Sequence, residues 1–157
     1  MGNVGLPEPV NGVGTLSRIA HCSCGSLRAE TTGEPVLIIA CHCLECQRRT
    51  GALFGAAAWF NRAQVRTEGD DKVFIRDADK DRKVRFHFCP TCGTTVYYEA
   101  DLRPDLFAVT LGAFADPCFP APTRSVWEES RHSWVEFGHE LRRFPQAAPV
   151  PHPDPAD

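Results

Sequence analysis

Eight cysteines in a chain of 157 residues fall into three tight clusters and one single: Cys22-x-Cys24, Cys41-x-Cys43-x2-Cys46, Cys89-x2-Cys92 and Cys118. No other feature constrains the fold as strongly, because whatever joins sulfurs tens of residues apart also joins the strands that carry them. Two chemistries can do so, disulfides and metal coordination. The opening MGNVGLPEPVNGVG lacks the basic and apolar segments of a secretory signal, and Leu6 stands where a myristoylation signal has Ser or Thr. No segment approaches the ~18 consecutive apolar residues of a membrane helix. The expected compartment is therefore a reducing cytoplasm, where clustered cysteines bind metal rather than oxidise.

The strongest single signal is FCPTCGTT (88–95). CPxCG after a strand reads as a zinc knuckle, in which Pro90 shapes the turn and Gly93 lets backbone N–H groups point at sulfur. A knuckle supplies Cys89 and Cys92 only, so it needs a second pair. Cys22 and Cys24, followed by Gly25, are the natural partner, and together they make a closed, structural zinc site. Cys41, Cys43 and Cys46 remain. Alternate strand residues share a face, so Cys41 and Cys43 can converge, and Cys46 in the following turn can complete a tripod. Three protein ligands with one open position is the design of a catalytic zinc site. Spacing alone leaves alternatives open: a fourth ligand from His132, His87 or Cys118, plain buried thiols, or pairing of Cys41 and Cys43 with the knuckle.

Around these clusters the chain reads as short strands. SRIAH (17–21), SLRAET (26–31), VLIIAC (36–41), FGAAAWF (54–60), KVFIRD (72–77), KVRFHF (83–88), TTVYYEA (94–100) and LFAVTLGAF (106–114) are β-prone and bounded by turn residues. LECQRRT (44–50) suits a short helix, and 128–144 is ambiguous. The expectation is a mainly β fold of small antiparallel sheets with few short helices. Residues 1–14 read as a flexible leader, 15–144 as the folded domain, and 145–157, rich in proline, as a disordered tail. The formal net charge of −3 and the scattered basic residues give no support to nucleic-acid binding.

HCSCGSL (21–27), CHCLECQRRTGALF (41–54), FHFCPTCGTTVYY (86–98) and VTLGAFADPCFPAPTRSVWEESRHSWV (109–135), in this order, resemble the family of glutathione-dependent formaldehyde-activating enzymes. The resemblance covers about 20–135. It implies a β-tent fold, a structural zinc on Cys22, Cys24, Cys89 and Cys92, and a catalytic zinc on Cys41, Cys43 and Cys46 for which glutathione competes. The implied activity is that of a carbon–sulfur lyase, joining a glutathione-type thiol to a small aldehyde such as formaldehyde. Arg48 and Arg49 are candidates to grip a glutathione carboxylate, and His132 and Trp134, with Trp127, are candidates to line the pocket. For the two tryptophans core packing is the favoured reading. His42 alternates away from the cysteines and suits a supporting or surface role. Cys118 reads as a small buried hydrophobe. The rival reading is a zinc-stabilised β module that binds a partner without catalysis; such a scaffold needs only the closed site.

Overall fold

The computed structural model describes residues 16–149; the expected leader (1–14) and residues 150–157 lie outside the described residues. In chain order the elements are β1 (Ser17–His21), β2 (Arg28–Thr32), β3 (Leu37–Cys41), α1 (Leu44–Thr50), β4 (Gly55–Asn61), β5 (Val65–Glu68), β6 (Lys72–Ala78), β7 (Arg82–Phe88), β8 (Thr95–Ala100), β9 (Leu106–Thr110), β10 (Arg124–Val126) and β11 (Arg142–Arg143). β1, β2 and β5 form a three-stranded antiparallel sheet. The other eight strands form the order β11-β10-β3-β4-β9-β8-β7-β6. That sheet is antiparallel except at one edge, where β10 runs parallel to β3 and to β11. The fold is mainly β, as the strand spacing predicts, and no helix among the described residues is long and apolar enough to cross a membrane.

The large sheet is covered on both faces, and residue parity decides which face a side chain serves. Ile38, Ala58, Phe60 and Val109 meet Ala20, Leu27 and Ala29 of the small sheet in one core. Leu37, Ile39, Ala57, Trp59 and Ala108 point the other way into a second cluster, where they meet Val126 and Ala148. This explains why LIIA in β3 is continuously apolar rather than alternating. Burying a side chain such as Phe60 or Val109 contributes about 1.5–3 kcal/mol. Cys41 shares parity with Leu37 and Ile39, so it faces the second cluster, away from the small sheet. Tyr97 and Tyr98 are split in the same way, Tyr97 into the first cluster and Tyr98 against the second.

Several expectations need correction. β5, β10 and β11 were not predicted, since they are short, polar and defined only by their partners. The strand expected over 106–114 stops at Thr110, and a 3-10 turn at Leu111–Phe114 brings Phe114 back toward the Phe60 ring, 6.5 Å away. The tail expected to be disordered from Pro145 is docked over its described part. The Pro145 and Gln146 carbonyls accept backbone hydrogen bonds from Glu129 and Trp127, and Ala148 is buried. Cys118 is exposed rather than buried. Its amide donates to the Asp116 carboxylate in a tight turn, which leaves Phe119, 4.5 Å from the Phe114 ring, to fill the core there.

Candidate functional site

Cys22, Cys24, Cys89 and Cys92 bring their sulfurs within 4.8 Å of one another. Cys22 and Cys24 follow β1, and Cys89 and Cys92 follow β7, so the cluster ties the small sheet to the large one. The Cys22–Cys24 and Cys24–Cys89 sulfur separations are 3.5 and 3.6 Å. A tetrahedral ion with metal–sulfur bonds of 2.3 Å has edges of about 3.8 Å, so these two edges suit zinc. Surrounding donors favour thiolates. The Leu27 amide is 3.2 Å from the Cys22 sulfur, and the Ser26 hydroxyl lies 3.1 and 3.2 Å from those of Cys24 and Cys89. Burial pushes the Cys22 thiol up, but the Leu27 amide and its side-chain neighbours outweigh it and bring it down to about 7. Hydrogen bonds from Thr94 lower Cys92 to about 5. The Gly93 N–H does not reach sulfur; at φ +76° it closes the knuckle on the Cys89 carbonyl, at 2.9 Å.

The second cluster, Cys41, Cys43 and Cys46, also has its sulfurs within 4.8 Å of one another. It is not a continued strand. β3 ends at Cys41, and Cys43 caps α1, its sulfur accepting from the Cys46 amide at 3.3 Å. Cys43 and Cys46 thus converge across the first helical turn rather than by strand alternation. Gly55 lets the helix lie this close to β4, since a Cβ there would come 3.1 Å from the Arg49 guanidinium and 3.5 Å from Cys46 Cβ. With three sulfurs so close, the first negative charge settles on one. Hydrogen bonds from Cys41 and Cys46 pull Cys43 down to about 2, with help from the Arg76 charge. The same hydrogen bonds and burial push Cys41 up. Cys46 ends raised as well, its hydrogen bond with Cys41 being outweighed by Cys43 and burial. Full deprotonation of the trio therefore calls for a cation, and zinc suits three soft thiolates. Among the described residues no fourth ligand joins them.

Behind the cysteines a buried network holds the loop. His42 is fully buried between Phe54 and Phe137, at ring distances of 5.4 and 5.9 Å. Its Nε2 lies 3.1 Å from Ser125 Oγ, and the Ser125 hydroxyl donates to Glu128. That direction requires His42 Nε2 to carry the proton and donate to Ser125. Glu128 is held ionised: burial opposes this, but Ser125, Arg131 and Arg143 prevail. The His42 carbonyl accepts from Gln47 Nε2 at 2.8 Å and from the Ser130 hydroxyl at 2.9 Å, and its amide donates to the Val126 carbonyl. Gln47, Ser125, Glu128 and Ser130 carry no sequence signal of their own. They become visible only when β10 pairs with β3.

The three cysteines line a cavity of about 700 Å³, within the range of small-molecule sites. Ile39, Trp59, Phe86 and Tyr98 form its apolar wall, and both signs of charge line it, Arg76, Arg82, Lys83 and Arg103 with Glu45, Asp77, Asp79 and Glu129, Lys83 being paired with Asp77. Tyr98 stays protonated, its pKa raised by burial and by the nearby charges of Cys46 and Cys41. The expected substrate contacts are distributed differently. Arg48 is exposed and paired with Glu45 on the outer face of α1. Arg49 turns inward and lies 4.5 Å from the Phe86 ring centroid. His132 Nε2 is 3.0 Å from Gln47 Oε1, bracing the loop from behind. Trp134 is 71% exposed, because Val135 takes the buried position beside it, so the core reading fails there. Trp127 lines the cavity, and the other four do not.

No curated protein matches the chain. A crystal structure of a Rhodobacter sphaeroides protein, a structural genomics target, is 21% identical, with a TM-score of 0.48, over 63% of this chain and 91% of that one. The family described as glutathione-dependent formaldehyde-activating enzyme matches residues 17–130, which takes in both cysteine clusters and the network behind them. The chain belongs to the glutathione-dependent formaldehyde-activating enzyme family.

Proposed function

We propose that the chain is a zinc-dependent carbon–sulfur lyase that joins, and in reverse parts, a glutathione-type thiol and a small aldehyde such as formaldehyde. The observation that carries this reading is the incomplete ligand set: three convergent sulfurs opening on a cavity, in a protein that has a separate closed set of four. A scaffold would have no use for the second cluster.

A zinc ion held by Cys41, Cys43 and Cys46 would supply a Lewis acid that keeps a further thiol deprotonated at neutral pH. The chain's own residues do the rest. The apolar wall of Ile39, Trp59 and Phe86 excludes water, which strengthens the charges inside. Arg76, lining the cavity, and Arg49, beside Cys46, offset the negative charge of the sulfurs. Sulfur attacks the aldehyde carbon, the carbonyl π pair moves to oxygen, and the proton released from the thiol ends on that oxygen, giving an S-hydroxymethyl adduct. Tyr98 Oη is the proton-bearing oxygen of the cavity under the influence of Cys41 and Cys46, and it is assigned to deliver that proton. The His42–Ser125–Glu128 chain keeps the cysteine loop in place.

The test is adduct formation from glutathione and formaldehyde, followed by NMR with and without protein. Acceleration lost in Cys43→Ser is the expected result. No acceleration, with glutathione or with other thiols and aldehydes, would instead favour the non-catalytic zinc module.

A further inference from the structure

Among the described residues, the cavity carries a cation without a paired anion. Arg103, in the turn between β8 and β9, is only 6% exposed and lines the cavity. Among the described residues its Nε has no hydrogen-bond partner and no carboxylate pairs with it. Its guanidinium lies 5.4 Å from the centroid of the Trp59 ring, and the Trp59 indole N–H is likewise buried without an acceptor. Burial, and then the charge of Arg124, depress the Arg103 pKa, so its own surroundings disfavour the cation. The ring face returns part of that cost, but a buried charge with no counter-ion destabilises a fold. Proteins keep such groups where function needs them.

The strand register sets the backbone separation between the Cys41 end of the cavity and the Trp59 end. Cys41 pairs with Gly55 and Leu37 with Trp59, so four residues of strand, roughly 13 Å, separate the two ends. Cys41, Ile39, Leu37 and Trp59 face the same side.

We propose that the Arg103 guanidinium, seated over the Trp59 ring, forms the receptor for a carboxylate of the thiol substrate, at the end of the cavity away from the three cysteines. This rests on the lyase reading for its thiol, and it adds a specificity: the substrate is an extended acidic thiol with its carboxylate several bonds from sulfur. Short mercapto acids cannot reach both ends.

The test is calorimetric titration of the full-length protein with glutathione and with mercaptooctanoic acid, each compared with its ester. The acids are expected to bind about tenfold tighter than the esters or more, the yield of a charge-assisted hydrogen bond. Arg103→Gln should abolish that difference while leaving ester affinity within about twofold, and Arg103→Lys should restore part of it. Arg103→Gln should also melt no lower than the parent, because it removes an unpaired buried charge. Equal affinity for acids and esters, failure of both acids to bind, or an Arg103→Gln variant that melts lower and weakens acid and ester alike would each overturn the proposal. The two readings separate cleanly. Accelerated adduct formation with acid and ester bound equally removes the Arg103 role and leaves the lyase; Arg103-dependent acid binding without acceleration does the reverse.

Discussion

The two cysteine clusters lie on opposite faces of one sheet and are built from the same residue type, yet their settings differ at every point that matters for a metal. The four-cysteine cluster lies where the small sheet meets the large one, and its sulfurs come from two distant turns. Backbone and hydroxyl donors surround it. The three-cysteine cluster comes from one stretch of chain, at the end of β3 and the start of α1, and opens on a cavity. A ligand set that spans the fold makes metal binding a part of folding. One that is local leaves the fold intact when the metal goes. The neighbouring tyrosines show the same division: Tyr97 faces the core that carries the closed site, and Tyr98 the cavity of the open one.

The contrast is broken most severely at a closed-site ligand. Cys89→Ser should abolish cooperative thermal melting, because structural zinc contributes on the order of 10 kcal/mol of binding free energy to folding; Cys43→Ser should melt like the parent while losing all acceleration. Equal melting of the two variants would erase the distinction. The support behind the open site comes next. His42→Ala leaves a buried gap and an unpartnered Ser125–Glu128 pair, so denaturant unfolding should show a loss of about 3 kcal/mol. An unchanged midpoint would show that the network does not hold the loop.

The tyrosines then offer a matched pair. Tyr98→Phe should slow adduct formation about a hundredfold without changing stability at neutral pH. Tyr97→Phe should leave the rate alone and alter the alkaline limb of the stability curve. Burial, with the charge of Asp71, raises the Tyr97 phenol to about 12, against about 10 in the unfolded chain. The unfolded state therefore loses its proton first, so this contribution is complete below about pH 10 and is lost as pH rises toward 12. Removing the hydroxyl should flatten that decline by about 2–3 kcal/mol. If the two variants exchanged effects, the assignment of faces would be wrong.

The knuckle was legible because CPTC depends on local spacing, but spacing left the partition of the other cysteines open; the family resemblance chose it, and the structure brings the sulfurs together in those two groups. Most strands were legible from β-prone runs such as KVRFHF, bounded by turn residues. The surroundings of the open site were not. Gln47, Ser125, Glu128 and Ser130 act together only because β10 pairs in parallel with β3, a contact 85 residues apart in sequence between Ser125 and Ala40 that no local pattern encodes. Arg103 reads as an ordinary loop arginine in DLRPD until the sheet wraps it over Trp59. Arg48 and Arg49 look equivalent in sequence, and the helix sends them to opposite sides. Trp134 was misjudged for the same reason, since composition says core and the irregular backbone of 131–135 points it to solvent.

The central claim is that one cluster builds the fold and the other serves chemistry. Metal analysis of the purified protein before and after mild chelation, with melting followed in parallel, tests it most directly. Two zinc ions per chain, one removed by the chelator with the melting transition intact and the other released only on unfolding, is the predicted result. A single zinc per chain, or two that leave together with the fold, would contradict it.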